Sequence, residues 1–154
     1  MTEEIKQWGL ALSGLLTPAL AIFGGYIGWR QHQTARTKLR LELFEKRYAV
    51  YTIIAHCLAE ALQQGDADPK LQLEFLRGTK ETLFLFDPEI SSFTDLAYKR
   101  LVKLHHHEEQ IKRSDGSNQE EHLRLRQFYF DYLQDELMNL QKKFEPWLGF
   151  AKVK

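Results

Sequence analysis

Apolar residues recur three and four positions apart along most of this chain, which is the spacing of one face of an α-helix. No segment alternates apolar and polar residues, so the pattern predicts no strand. Residues 65–69, 87–88 and 114–117 are rich in the Gly, Pro, Asp and Ser residues that interrupt helices. Asp87 followed by Pro88 is also typical of a helix start. We therefore expect an all-α chain in which residues 41–154 form an antiparallel bundle of about four helices.

Each predicted helix of this bundle carries an apolar face for the core. The first has a heptad seam made of Leu41, Phe44, Tyr48, Tyr51, Ala55, Leu58 and Leu62. The second, which extends to residue 86, contributes Phe75, Leu76, Thr79, Leu83 and Phe86. The third and fourth contribute Phe93, Leu96, Ala97, Leu101, Leu104 and Ile111, and then Leu123, Phe130, Leu133, Leu137, Leu140 and Phe144. Pro146 is expected to end the last helix, with residues 147–150 folding back as an apolar lid.

Ahead of the bundle, residues 7–29 are 23 consecutive positions without a charge, with Trp8 and Trp29 near the two ends. A helix of that length reaches roughly 34 Å, enough to cross a hydrocarbon core of about 30 Å. Tryptophan favours the headgroup region, so the pattern predicts a transmembrane helix. A cleaved signal peptide is the alternative, because residues 19–21 resemble a cleavage site. The acidic leader, and the apolar residues that continue past that site, favour a retained anchor.

The positive charges set the expected orientation of this anchor. Only Lys6 precedes the apolar segment, whereas the segment that follows it contains the basic residues Arg30, Arg36, Lys38 and Arg40. By the positive-inside rule the amino terminus lies outside and the head lies in the cytoplasm. These four residues either only set the orientation of the anchor or also contact anionic lipid. The expected organisation is a tail and membrane helix over 1–29, a basic juxtamembrane stalk over 30–40 and a cytoplasmic bundle over 41–154.

A stripe of small residues runs along one face of the predicted membrane helix. Its members are Gly14, Thr17, Ala21, Gly24 and Gly28. Helices in lipid associate through such stripes, because small side chains let two backbones approach closely. We therefore expect the anchor to pair with a second copy or with another membrane protein. Pro18 should kink the helix. Because a kinked helix rich in glycine could line a pore, a small oligomeric channel or membrane-disrupting effector is the alternative.

Charge balance and cysteine content exclude two classes of protein. The chain contains 21 basic and 21 acidic residues. Nucleic-acid-binding domains are usually strongly basic, so we expect no nucleic-acid partner. A single cysteine, Cys57, excludes an internal disulfide framework.

Residues 38–51 read KLRLELFEKRYAVY and follow the apolar helix. This segment resembles a group of small bacterial membrane-anchored proteins of unknown function. Members of that group similarly tend to carry Leu-Phe before the third helix and a Phe-x-x-x-Leu ending, here Leu85-Phe86 and Phe144 to Leu148. The resemblance implies a single-pass protein of the bacterial inner membrane with a helical cytoplasmic head. It implies no reaction, cofactor or catalytic residue.

One candidate for binding lies within that segment. Glu45, Arg47 and Tyr48 together offer a carboxylate, a guanidinium and an aromatic face, which suit contact with a partner protein, an anion or another ligand. The alternative is that these residues pack in the core or pair along their own helix.

A second candidate is the run of three histidines at 105–107, followed by Glu108 and Glu109. One histidine and one glutamate share a helical face there, as two metal ligands would, and His122 could approach across the loop. A metal site needs three or four converging ligands, so we expect a solvated helix end and no bound metal.

No motif for nucleophilic, metal or phosphate chemistry is present in the chain. His56 and Cys57 are adjacent and so point to different sides of a helix. We therefore expect no catalytic residue and no cofactor. The favoured function is a membrane-tethered helical interaction or scaffold module that is not an enzyme. The alternatives are the channel or effector described above, and a ligand or metal sensor built around Arg47 or residues 105–107.

Overall fold

The computed structural model of the protein describes the backbone of residues 2–113 and 118–149, and the side chains of 24–33, 35–113 and 118–149. Its helices are α1 (Thr2–Gln64), α2 (Pro69–Thr79), α3 (Thr82–Leu85), α4 (Pro88–Arg113) and α5 (Gln119–Leu148). Because no strand occurs within these residues, the predicted all-α class is confirmed, as is a bundle of about four helices. The chain divides into two units, residues 1–42 and residues 43–154, and the second forms the packed bundle.

The structure gives no support to the membrane helix expected from the sequence. Among the residues that it describes, none of the helices combines the length and the apolar character needed to cross a bilayer. Most of the expected span falls on residues 7–23, whose side chains lie outside the described part of the chain. The same holds for Trp8, Gly14, Thr17 and Ala21.

The first break in the bundle follows α1. Gly65 has a φ of +70°, a left-handed conformation that a side chain disfavours and that commonly ends a helix. The Asp68 carboxylate then accepts a hydrogen bond from the Leu71 amide at 2.7 Å, with Pro69 in the first turn of α2. This side-chain cap and the proline together start the second helix of the bundle.

The second predicted helix is wrong in its extent, because it is interrupted before residue 86. α2 ends at Thr79, whose hydroxyl donates to the Phe75 carbonyl at 2.8 Å. The Thr82 hydroxyl donates in turn to the Thr79 carbonyl. The bond from Thr82 satisfies a carbonyl that a longer helix would have used, and it favours a turn. Phe86 is extended, and α4 begins at Pro88, so the helix start expected at residues 87–88 is confirmed.

The expected stop at Pro146 is also wrong, because α5 continues through this residue to Leu148. A proline inside a helix removes one hydrogen bond, here to the carbonyl of Lys142. Both residues lie at the surface, where water can hydrate the freed carbonyl, so the proline is tolerated. Trp147 therefore belongs to the helix rather than to a folded-back lid, and Phe150 lies outside the described residues.

Buried apolar side chains from all five helices form the core of the bundle. Predicted core positions that are buried are Leu58, Phe75, Thr79, Phe86, Phe93, Ala97, Leu101, Leu104, Leu133, Leu140 and Phe144. Predicted core positions that are exposed are Leu41, Tyr48, Leu76, Leu83, Leu96 and Leu123. Beside Leu58, α1 buries Val50, Ile54, Cys57 and Ala61. This face is wider than a heptad seam because α2 and α5 both pack against it.

Candidate functional site

Arg47 joins three elements at one end of the bundle. Its Nε donates a hydrogen bond to the Leu85 carbonyl of α3 at 2.9 Å. Its guanidinium carbon lies 5.1 Å from the Trp147 ring of α5 and 5.9 Å from the Phe86 ring. Such positions over an aromatic face are attractive for a cation. Arg47, which the sequence offered for contact with a partner or an anion, is therefore engaged in contacts inside the bundle.

A row of aromatic rings leads from the surface of α1 into the core. The rings of Phe44 and Tyr48 are stacked 6.0 Å apart, and those of Tyr48 and Tyr51 also 6.0 Å apart. Tyr51 then meets the fully buried Phe144 edge-on at 5.6 Å. Tyr48 is 52% exposed, so the row presents one large aromatic side chain to solvent on a rigid base.

Next to this row, a groove of about 630 Å³ opens between α1 and α5. We call it the α1/α5 groove, and the residues that line it are Tyr48, Tyr51, Met138, Gln141, Lys142, Glu145, Leu148 and Gly149. Met138 is 67% exposed there. A flexible thioether beside two aromatic rings can adapt to apolar side chains of another chain. Lys142 and Glu145 add one charge of each sign.

A second opening of about 540 Å³ lies between α4 and α5, and one acid–base pair lies within it. Glu136 forms an ion pair with Lys143, whose ammonium lies 4.3 Å from the centre of the Phe93 ring. Burial, and then a hydrogen bond with Glu136, raise the pKa of Tyr132. The Arg100 guanidinium lies 4.2 Å from the Tyr132 ring. Glu136 and Lys143 are therefore engaged with each other, whereas the exposed Asp87, Glu89 and Lys142 also line the opening.

Two hydrogen bonds and one ion pair connect the elements at the far end of the bundle. His105 Nδ1 lies 2.9 Å from Asp66 Oδ1, which joins α4 to the loop after α1. Arg126 of α5 donates to the Gly65 carbonyl at 2.9 Å. Its Nε lies 2.6 Å from Glu108 Oε2 without the alignment of a hydrogen bond. These half-buried pairs fix the loop that follows α1 against α4 and α5.

His107 lies at the same end of the bundle. The prediction that residues 105–109 form a solvated helix end is wrong for this residue. The side chain is only 7% exposed, and its ring stacks on Tyr129 with centroids 5.5 Å apart. Its Nδ1 lies 3.0 Å from Nδ1 of His122, which approaches across the loop. Burial, and then the nearby positive charges, lower the pKa of His107 below its ordinary value of 6.5. His106 is exposed, as expected.

Catalytic and metal chemistry find no support in the described residues. Over 24–33, 35–113 and 118–149, no three His, Cys, Asp or Glu side chains come together in a way that could hold a metal ion. Burial, followed by the charges of Glu74 and Glu60, raises the pKa of Cys57 to about 12. The thiol therefore stays protonated at neutral pH, and a protonated thiol is a poor nucleophile.

The remaining predicted site residues lie on α1 at the surface. Glu45 is exposed in the bundle unit. In the unit of residues 1–42, the exposed members are Gly24, Gly28, Trp29, Arg30, Arg36, Lys38 and Arg40. A Cβ added at Gly24 or Gly28 would meet no atom of the chain within 4 Å. Replacing either glycine should therefore leave the contacts of the single chain unchanged.

No family model, curated protein or solved structure matches this chain. The sequence did not indicate that Met138 and Leu148 line the groove or that Trp147 lies over Arg47. Leu148 was noticed in the sequence only as part of a lid and of the Phe-x-x-x-Leu ending. For Met138 no sequence signal existed, because one methionine on an amphipathic helix is unremarkable without its neighbours.

Proposed function

We propose that this protein is a membrane-tethered helical interaction module without catalytic activity, whose bundle binds a cytoplasmic protein partner through the α1/α5 groove. The observation that carries the proposal is the groove itself, which is lined by the exposed side chains of Tyr48 and Met138. Large apolar side chains gathered in one open groove gain free energy when another chain covers them.

The tether rests on the sequence. Residues 7–29 carry no charge, and Trp8 and Trp29 lie near the ends. The basic residues that follow support a cytoplasmic location for the bundle, by the positive-inside rule. The resemblance of residues 38–51 to small bacterial membrane-anchored proteins agrees with this location. We propose an inner-membrane protein with its amino terminus outside.

Association of the anchors is part of the same proposal. The stripe of small residues that includes Gly24 and Gly28 would let two helices approach closely, whether from two copies or from another membrane protein. The test is the oligomeric state of the full chain in lipid nanodiscs. Gly24→Leu combined with Gly28→Leu should dissociate the oligomer. Tyr26→Leu, which introduces the same side chain on another side of the helix, should leave it intact. A monomer in all three samples would contradict association of the membrane helices, and the span would then act only as a tether.

The partner contact is tested by photo-crosslinking in intact bacterial cells that express the full chain. A photoreactive phenylalanine at position 48 or 138 should form one discrete adduct with a cytoplasmic protein. The matched control is position 84, because Phe84 is 84% exposed but does not line the groove. Leu148→Glu should abolish the adduct at position 48. Equal adducts at positions 48 and 84, or none at position 48, would contradict a binding role for the groove.

A further inference from the structure

The pair of His107 and His122 forms the one contact in the described bundle between two imidazole nitrogens. The two Nδ1 atoms lie 3.0 Å apart, a hydrogen-bond distance. One of these nitrogens must carry a proton and the other must offer its lone pair, so the two rings adopt different tautomers. This contact joins α4 to α5 close to the loop between them.

The surroundings favour a neutral His107 as the acceptor. Its ring is held by stacking on Tyr129, and the residue is almost entirely buried. The charged and titratable groups around it are Lys103 and His106 from α4, and His122 and Glu121 from α5. Lys103 and the two other histidines disfavour a positive charge on His107, whereas Glu121 favours one.

We propose that the His107–His122 pair is a proton-sensitive contact that joins this end of α4 to α5 near neutral pH and is lost when both imidazoles are protonated. A first proton on Nε2 of His122 would leave the hydrogen bond in place, because Nδ1 of His122 still donates. The second proton must occupy the Nδ1 lone pair of His107. It removes the hydrogen bond and leaves two cations at about 3 Å in a partly buried site.

The direction of the pH dependence follows from the lowered pKa of His107. The unfolded chain, with an ordinary histidine, binds more protons at this position than the folded protein below about pH 6.5. The stabilisation is therefore complete above that pH and declines as the pH falls through it. The His107–His122 contact is therefore intact at neutral pH, and acidification weakens this end of the bundle.

The test is the melting temperature of the full chain in detergent between pH 7.5 and pH 5.0. We expect the wild-type value to fall on acidification, and His107→Phe, which keeps a ring against Tyr129 but binds no proton, to remove most of that fall. The control is His56→Gln, because His56 is an exposed histidine 3.1 Å from Glu60 in the same bundle. It should leave the fall unchanged.

An equal fall in the wild type and His107→Phe would overturn the proposal. So would a rise in the melting temperature with Zn²⁺ at pH 7.5 that His122→Gln abolishes, since the pair would then be a metal ligand set. Because His107→Phe alters a buried position, imidazole NMR of the wild type gives an independent test. Two coupled, well-separated titration steps for the pair support the proposal. Two independent titrations near pH 6.5 overturn it.

Discussion

Arg47→Ala is expected to destabilise the bundle rather than to abolish partner binding directly. The substitution removes the hydrogen bond from Nε to the Leu85 carbonyl at 2.9 Å and the contact of the guanidinium with the Trp147 ring at 5.1 Å. A hydrogen bond from a charged donor contributes about 1.5–3 kcal/mol. A partly exposed cation–π contact contributes about 0.5–1 kcal/mol. Arg47 is only half-buried, so solvent screening reduces both figures.

The expected loss is therefore about 2 kcal/mol, or roughly 8 °C in melting temperature for a unit of this size. The assay is thermal and urea unfolding of the full chain in detergent, followed by circular dichroism. The control is Lys46→Ala, an exposed neighbour on the same helix, which should change stability by less than about 0.5 kcal/mol. The reasoning is refuted if Arg47→Ala melts with the wild type. It is refuted equally if the variant keeps full stability while losing the crosslink at position 48, since Arg47 would then be a binding residue.

Phe144→Ala should cost about 3–5 kcal/mol, because this fully buried ring contacts Tyr51, Phe86 and Phe93, whereas Phe84→Ala should cost less than about 0.5 kcal/mol. Equal urea midpoints for the two variants would contradict the assigned core. Cys57, whose pKa is raised to about 12, should react with a thiol reagent at pH 8 at least about 100-fold more slowly in the native protein than in urea. Because the chain has a single cysteine, the reaction with the thiol reagent reports on Cys57 alone. Rapid labelling of the native protein would refute the burial of this thiol.

Helical spacing was sufficient to predict the class of the fold and the centre of its core. Leu101 and Leu133 lie in the middle of long helices and are buried as expected. Exposed positions occur near helix ends, as at Leu123, and also in mid-helix, as at Leu96, because spacing alone does not show which neighbours cover a face. Leu83 is exposed in the short helix α3.

The candidate sites were predictable only where one segment contains the whole signal. Tyr48 was singled out from residues 38–51, and it does line the groove. The role of Arg47 depends on the Leu85 carbonyl, 38 positions later, and on Trp147. The burial of His107 depends likewise on Tyr129 and His122, which only the α4–α5 packing brings close. A contact between two distant segments does not change the spacing of apolar residues within either segment.

The most direct test of the membrane tether is alkaline carbonate extraction of bacterial membranes that contain the full chain. We predict that the wild-type protein stays in the membrane pellet. Leu20→Arg together with Ile22→Arg should release the protein into the supernatant, because each charge near the centre of the span costs about 2.5–3.5 kcal/mol. Extraction of the wild-type protein by carbonate would contradict the tether, and with it the proposal that this bundle works at a membrane.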